Sequence, residues 1–172
     1  MIEILTVIAI VAILASILVP VAGKAQKSAR KKRAMVEMNS IKVAALQFQS
    51  DHRYMPWPGT VKVGNDMWTA GTSDQAEVMD LLTGNNALKK VYLQIPEKSR
   101  PSAASMVFND PWEHPYRIGL DRNLDGAVVG DDLIQKLYGG EYIKEKVLVY
   151  SLGDSEDDEP LKTFDVPPAT VP

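Results

Sequence analysis

The chain opens on an unbroken apolar run. Ile4 to Gly23, ILTVIAIVAILASILVPVAG, is 20 residues without a formal charge. At ~1.5 Å of rise per residue, a helix of that length spans roughly 30 Å, the thickness of a bilayer core. The run is too long for a signal-peptide h-region, and no small-x-small site with a change to mature sequence follows it. It therefore reads as a span that stays with the protein. Past Gly23 the pattern narrows to a stripe. Ala34, Met38, Ile41, Ala45 and Phe48 recur at spacings of four and three, the period of one helix face. Residues 24–50 hold no proline. One helix is thus predicted to run from the span into a globular head, with the stripe packed on a sheet and Lys27, Lys31 and Lys42 pointing away. A coiled coil is the alternative, but the pattern covers too few heptads. Pro56 and Pro58 end the helix near Asp51–Tyr54.

In the head, Met55-Pro56-Trp57-Pro58-Gly59 predicts an extended, turn-rich loop. Asp74-Gln75-Ala76-Glu77 has the spacing of a capping box, with Val78, Leu81 and Leu82 following on one face and Gly84 placed to close that helix. Met106–Phe108, Tyr116–Leu120 and Lys146–Ser151 are strand candidates. They suit a small antiparallel sheet laid across the long helix. The segment from Lys162 to Pro172 is Pro-rich and predicted to be extended or loosely ordered. The fold class is α+β, in three stretches: a hydrophobic helix over 1–23, its amphipathic continuation over 24–54, and a head over 55–172.

Charge changes this picture by its distribution. Residues 1–33 hold Lys24, Lys27, Arg30, Lys31, Lys32 and Arg33 against Glu3, a net +5. The remainder holds 13 basic and 21 acidic residues, a net −8. A basic neck on an acidic head favours head-to-neck attraction between subunits; a solvated basic helix face is the plain alternative. There is no cysteine, which excludes disulfides, CxxCH haem attachment, iron–sulfur clusters and thiol catalysis. A head without disulfides must rest on its core, or on a metal held by oxygen ligands.

Such a metal has a candidate loop. Asp121-Arg-Asn123-Leu-Asp125-Gly126-Ala127-Val-Val-Gly-Asp131-Asp132 fits D-x-N-x-D-G-x5-D, the twelve-residue EF-hand-type calcium loop with a final Asp, as in dockerin modules. Side chains at the first, third and fifth places converge on one cation, and Gly126 permits the sharp turn. The carbonyl of Ala127 adds an oxygen, and Asp132 returns from the start of the following helix. Asp is shorter than Glu, so bidentate closure is harder and affinity lower. The alternative is an Asx-rich turn without metal.

Two residues of the span are unusual for a plain anchor. Glu3 places a carboxylate at a membrane edge, where it is costly without a partner. Pro20 removes a helix hydrogen bond, although membrane helices tolerate proline. By the positive-inside rule the basic cluster at 24–33 belongs on the cytoplasmic side.

The stretch from Met1-Ile2-Glu3 to Ala15 resembles the start of mature type IV pilins and pseudopilins. That family carries a short basic leader, which prepilin peptidase removes before N-methylating the new terminus. Its mature chains begin Phe-Thr-Leu-Ile-Glu or Phe-Thr-Met-Ile-Glu, so the resemblance implies two residues ahead of Met1. It gives Glu3 the role of pairing with the methylated amine of a neighbouring subunit, and Pro20 the place of the family proline. It also implies a head outside the cytoplasm, against the charge rule.

Three head segments resemble the major pseudopilin of type II secretion. His52-Arg53-Tyr54-Met55-Pro56 is similar to the passage after its long helix. Asn109-Asp110-Pro111-Trp112-Glu113-His114-Pro115-Tyr116 is similar to its Asp-Pro-Trp signature. Tyr150-Ser151-Leu152-Gly153-Asp154 with Asp157-Asp158 is similar to its calcium-binding C-terminal loop. The last implies a second metal group at Asp154, Asp157 and Asp158, although here that loop is shorter. Residues 121–145 are extra relative to the family.

No catalytic pattern emerges. His52 and His114 are far apart and outside any zinc spacing, and there is no phosphate loop or nucleophile elbow. The tryptophans suit a core or subunit contacts better than a nucleic-acid platform. An enzyme is not expected, nor is direct nucleic-acid binding. The expectation is a calcium-binding structural subunit that leaves the inner membrane and forms a homo-oligomeric helical filament, with prepilin peptidase and assembly machinery as partners. A type II secretion pseudopilus in the periplasm is preferred. A surface type IV pilus for adhesion, motility or DNA uptake is the second reading, and a non-polymerising membrane-anchored calcium module the third.

Overall fold

A computed structural model describes residues 2–60, 63–69, 71–138, 142–154 and 160–165, with residues 17–21 and Tyr138 described by backbone alone. One helix, α1 (Ile2–His52), runs from the N-terminus into the head. Arg53, at φ 67°, turns the chain out of it. The predicted stripe is the buried face: Ala34, Met38, Ile41, Ala45 and Phe48 are all fully buried. Met38, Ile41, Ala45 and Phe48 pack with Ile118, Leu120, Val147 and Val149. Each aliphatic side chain so buried contributes roughly 1.5–3 kcal/mol of transfer free energy, and this interface holds helix to sheet.

The sheet has four strands in the order β1-β2-β5-β6: β1 (Met67–Trp68), β2 (Arg117–Leu120), β5 (Val147–Ser151) and β6 (Leu161–Lys162). All pairings are antiparallel. At its centre Ile118 faces Val149 and Leu120 faces Val147. Gly119 lies under the Trp68 ring, where an added Cβ would come within 2.7 Å of ring carbons, so only glycine fits.

Every residue of β5 is buried. Alternation along a strand sends Val147 and Val149 toward α1. It sends Leu148 and Tyr150 into a second cluster with Val128, Ile134, Ile143 and Phe164. The extra segment supplies half of that cluster, Val128, Ile134 and Ile143, through β3 (Val128–Val129), α3 (Asp132–Tyr138) and β4 (Tyr142–Ile143). The head is therefore three layers: helix, sheet, and an added β3-β4 ribbon with α3.

Four expectations need correction. Met106–Phe108 is not a strand. A fully buried glutamine on α2 (Thr72–Leu82), Gln75, replaces its ladder, accepting from the Phe108 N–H at 3.0 Å and donating to the Phe108 carbonyl at 2.7 Å. The capping box is not formed, because α2 starts earlier, with Gly71 as N-cap and Asp74 already inside the first turn. Gly84 does follow the helix end at φ 122°. Lys42 does not point away: its ammonium pairs with Glu145 and bonds the Thr163 carbonyl. The segment from Lys162 is not loose throughout. Lys162 lies in β6, and Phe164 is 4% exposed, anchored in the second core. Residues 166–172 lie outside the described part.

Candidate functional site

The turn after β2 is built from its own side chains. The Gly126 N–H donates to Asp121 Oδ2 at 2.9 Å. The Asp125 N–H donates to Asn123 Oδ1 at 3.0 Å, and the Ala127 N–H to Asp125 Oδ1 at 2.9 Å. Asn123 Nδ2 donates to Asp125 Oδ2 at 2.8 Å. Leu124 at φ 63° and Gly126 at φ 90° give the reversal; the glycine accepts that conformation at no steric cost. Asn123 and Asp125 are thus joined side chain to side chain, and Asp121 is tied to Gly126 of the same turn.

Asp121 is fully buried. Its Oδ2 is used at Gly126, and its Oδ1 has no hydrogen-bond partner. A buried carboxylate oxygen without a partner is costly, and a cation at the centre of the loop would relieve that cost. The residues present fit an oxygen-ligated divalent cation on this observation. When bound, calcium would supply a divalent counter-charge to Asp121 and Asp125, with Asn123 Oδ1 and the Ala127 carbonyl as neutral oxygens.

Sequence reasoning missed Asp66. The chain just before β1 lies along the loop: the Gly64 N–H donates to the Arg122 carbonyl at 3.3 Å, and Arg122 Nη1 to the Asn65 carbonyl at 3.3 Å. Asp66 Oδ2 accepts from the Val129 N–H at 3.1 Å, and the carboxylate also accepts from the Arg122 N–H. Its Oδ1 is buried without a partner. Burial, followed by the charges of Asp121 and Asp125, holds the Asp66 carboxyl above its ordinary range. No local spacing could have flagged it, because the tertiary fold alone brings it to the loop.

Asp132 sits elsewhere. It is exposed in the first turn of α3 and lines a cleft with Trp68, Thr69, Arg117, Asp131, Tyr150 and Leu152. Its neighbour Asp131 caps α3, with Oδ1 accepting from the Ile134 N–H at 2.9 Å and Oδ2 from the Tyr150 hydroxyl at 2.6 Å. Burial and that carboxylate push the Tyr150 pKa up. Among the described residues, no group of three or more His, Asp or Glu is gathered as a ready metal cluster.

Of the second acidic group, Asp157 and Asp158 lie outside the described residues. Asp154 Oδ2 stands 3.9 Å from Lys27 Nζ, so neck and head meet by opposite charge within one chain. The Asp-Pro-Trp and Tyr-Ser-Leu-Gly segments also meet. Asp110 Oδ1 accepts from the N–H groups of Trp112 and His114, both at 2.9 Å, and its Oδ2 accepts from the Ser151 hydroxyl at 2.5 Å. That hydroxyl in turn accepts from the Gly153 N–H at 3.0 Å. Nearby, Glu37 on α1 is nearly buried and accepts from Arg33, Ser99 and the Tyr116 hydroxyl, the last at 2.6 Å.

The first half of α1 differs from all of this. Its described side chains from Ile2 to Ser16 are exposed, Ile4 at 69%, Val11 at 58% and Leu14 at 55%. Glu3 lies in the first turn, where a carboxylate suits the helix dipole. The backbone is helical through Pro20. Among the described residues no helix is long and apolar enough to cross a membrane; residues 17–21, inside the apolar run, are not described by side chain. Comparison with protein families, with curated proteins and with solved structures finds no match to this chain.

Proposed function

We propose that the chain is a structural subunit that polymerises through the N-terminal half of α1 into a pilin-like filament, with a type II secretion pseudopilus as the preferred assembly. One observation carries this reading: from Ile2 to Ser16 the side chains, Glu3, Thr6 and Ser16 excepted, are apolar around the whole helix and uncovered by their own chain. An uncovered apolar helix of this size requires a cover. The inner membrane provides it for the single subunit, and the helices of other copies provide it in the filament.

Glu3 selects the register. In an apolar surrounding its carboxylate is stabilised by a cation on the next subunit, the terminal amine, and a misplaced subunit leaves the charge unpaired. Near Pro20 the helix is free to give up regular hydrogen bonding as subunits leave the lipid. Calcium at Asp121, Asn123, Asp125 and the Ala127 carbonyl orders the added layer of the head.

The test is electron microscopy of material sheared from native cells, with the subunit identified by mass spectrometry, for wild type and Glu3→Ala. Filaments of this chain that appear only on overproduction, and are lost in Glu3→Ala, support the pseudopilus. Long, abundant filaments at native expression support the surface pilus instead. No filament under either condition overturns polymerisation and leaves the membrane-anchored calcium module.

A further inference from the structure

We propose that Asp66, from the chain before β1, is a calcium ligand that closes the Asp121–Ala127 loop from outside, in the place a twelfth-position side chain fills in an EF-hand-type loop. This rests on the calcium reading of the loop, and is independent of filament assembly.

Two carboxylate oxygens in this region are buried without partners, Asp121 Oδ1 and Asp66 Oδ1. They belong to segments remote in sequence, and each has its second oxygen already committed, to Gly126 in one case and to Val129 in the other. Asp121 is fully buried, and its bond to Gly126 holds the carboxylate inside the turn. Asp66 accepts from the Val129 N–H at 3.1 Å and from the Arg122 N–H, so its carboxylate lies against the loop that carries Asp121 and Asp125. A cation between the two carboxylates gives both unpartnered oxygens a ligand and offsets their repulsion, which is otherwise relieved only when one of them keeps a proton.

The position expected to close the loop does not serve. Asp132 is exposed and lines the cleft with Trp68, Thr69 and Arg117. Asp131 is committed to the α3 N-terminus and Tyr150. That leaves Asp66 as the added carboxylate. Loading requires one local change: Asn123 Nδ2 and the exposed Asp125 carboxylate, now bonded to each other, separate and turn oxygens inward. Three carboxylates, the Asn123 oxygen, one carbonyl and water make six or more oxygen ligands, a set that suits calcium over magnesium.

The consequence is a clasp. Asp66 is next to β1, the edge strand, and the Trp68 indole N–H already donates to the Val129 carbonyl at 2.7 Å. A cation shared by Asp66 and the loop ties that edge strand to the added layer.

The experiment titrates the full-length chain in detergent with calcium chloride, following heat of binding and tryptophan fluorescence, and compares melting in calcium with melting in chelator. Asp66→Asn keeps shape and the ability to accept from Val129 and Arg122. It should weaken calcium affinity at least tenfold and shrink the calcium-dependent shift in melting temperature, while melting in chelator stays equal to or above wild type. Asp132→Asn should change affinity less than twofold. A general loss of stability lowers both melting curves together and does not mimic this pattern. Wild-type affinity in Asp66→Asn, with binding abolished in Asp125→Ala, overturns the role of Asp66 and leaves the loop reading intact. A tenfold loss in Asp132→Asn likewise overturns it. A wild-type chain with no response to millimolar calcium overturns both.

Discussion

The two halves of α1 are one continuous helix with opposite surroundings. From Ala34 to Phe48 the stripe residues are buried against the sheet, and the charged residues between them find partners, Glu37 at Tyr116 and Lys42 at Glu145. Over the described residues from Ile2 to Ser16 every side chain is exposed, and nearly all are apolar. The difference is one of pattern. A stripe needs cover on one side, and a head of the same chain supplies it; a helix that is apolar all round needs cover on every side. Substitutions in the first half should therefore act on assembly and leave the head folded, and those in the second half should do the reverse.

The largest effect expected is loss of assembly in Glu3→Ala with an unchanged melting temperature of the head, read by microscopy and by calorimetry in detergent. Phe48→Ala is the mirror experiment. It removes a fully buried ring and should cost ~3–5 kcal/mol of head stability, whereas Ile8→Ala should leave head melting unmoved. Equal losses from Phe48→Ala and Ile8→Ala would break the comparison.

Calcium comes next. Chelation should lower head melting, and Asp125→Ala should remove the difference between calcium and chelator; at a hundredfold excess over the dissociation constant the linkage is about 2.7 kcal/mol. A chelator that leaves melting unmoved would sink the calcium reading. Ser151→Ala, which leaves Asp110 Oδ2 without its hydroxyl donor, should cost ~1–3 kcal/mol, seen as a lower denaturant midpoint. Smallest of all is Lys90→Ala. Lys90 holds the exposed Asp51 carboxyl below its ordinary range, with help from Tyr92. Any stability from that lowered value is present above the unfolded carboxyl pKa near 3.8 and lost as pH falls through the folded value. A surface pair contributes little, so a melting change confined to a degree or so near neutral pH is expected.

The long helix, its stripe, its end and two of the three main strand segments were legible in the sequence, because period and proline placement are local signals. The register partners of Asp110 were not: the Asp-Pro-Trp and Tyr-Ser-Leu-Gly segments look like separate turns until Ser151 is seen to donate to Asp110. Gln75 was misread for a similar reason. Its place in an apparent capping box hid a buried amide that stands in for a strand partner at Phe108. In the loop after β2, Asp121, Asn123, Asp125 and the Gly126 turn could be read from spacing. Asp66 could not, since only the pairing of β1 with β2 carries it there. The second layer over β5 was likewise invisible, because Val128, Ile134, Ile143 and Phe164 form a cluster only after the chain folds back.

The chain holds no cysteine, which permits a direct test of the claim that the first half of α1 is covered by other copies. Single cysteines at Ile8 and Val11, and at Met38 and Ile41 as controls, would be oxidised in native membranes and the products resolved by size. The account predicts disulfide-linked dimers from Ile8→Cys or Val11→Cys, none from the buried control positions, and loss of the dimers when Glu3→Ala is added. Monomers alone at Ile8 and Val11, or dimers indifferent to Glu3, would contradict it.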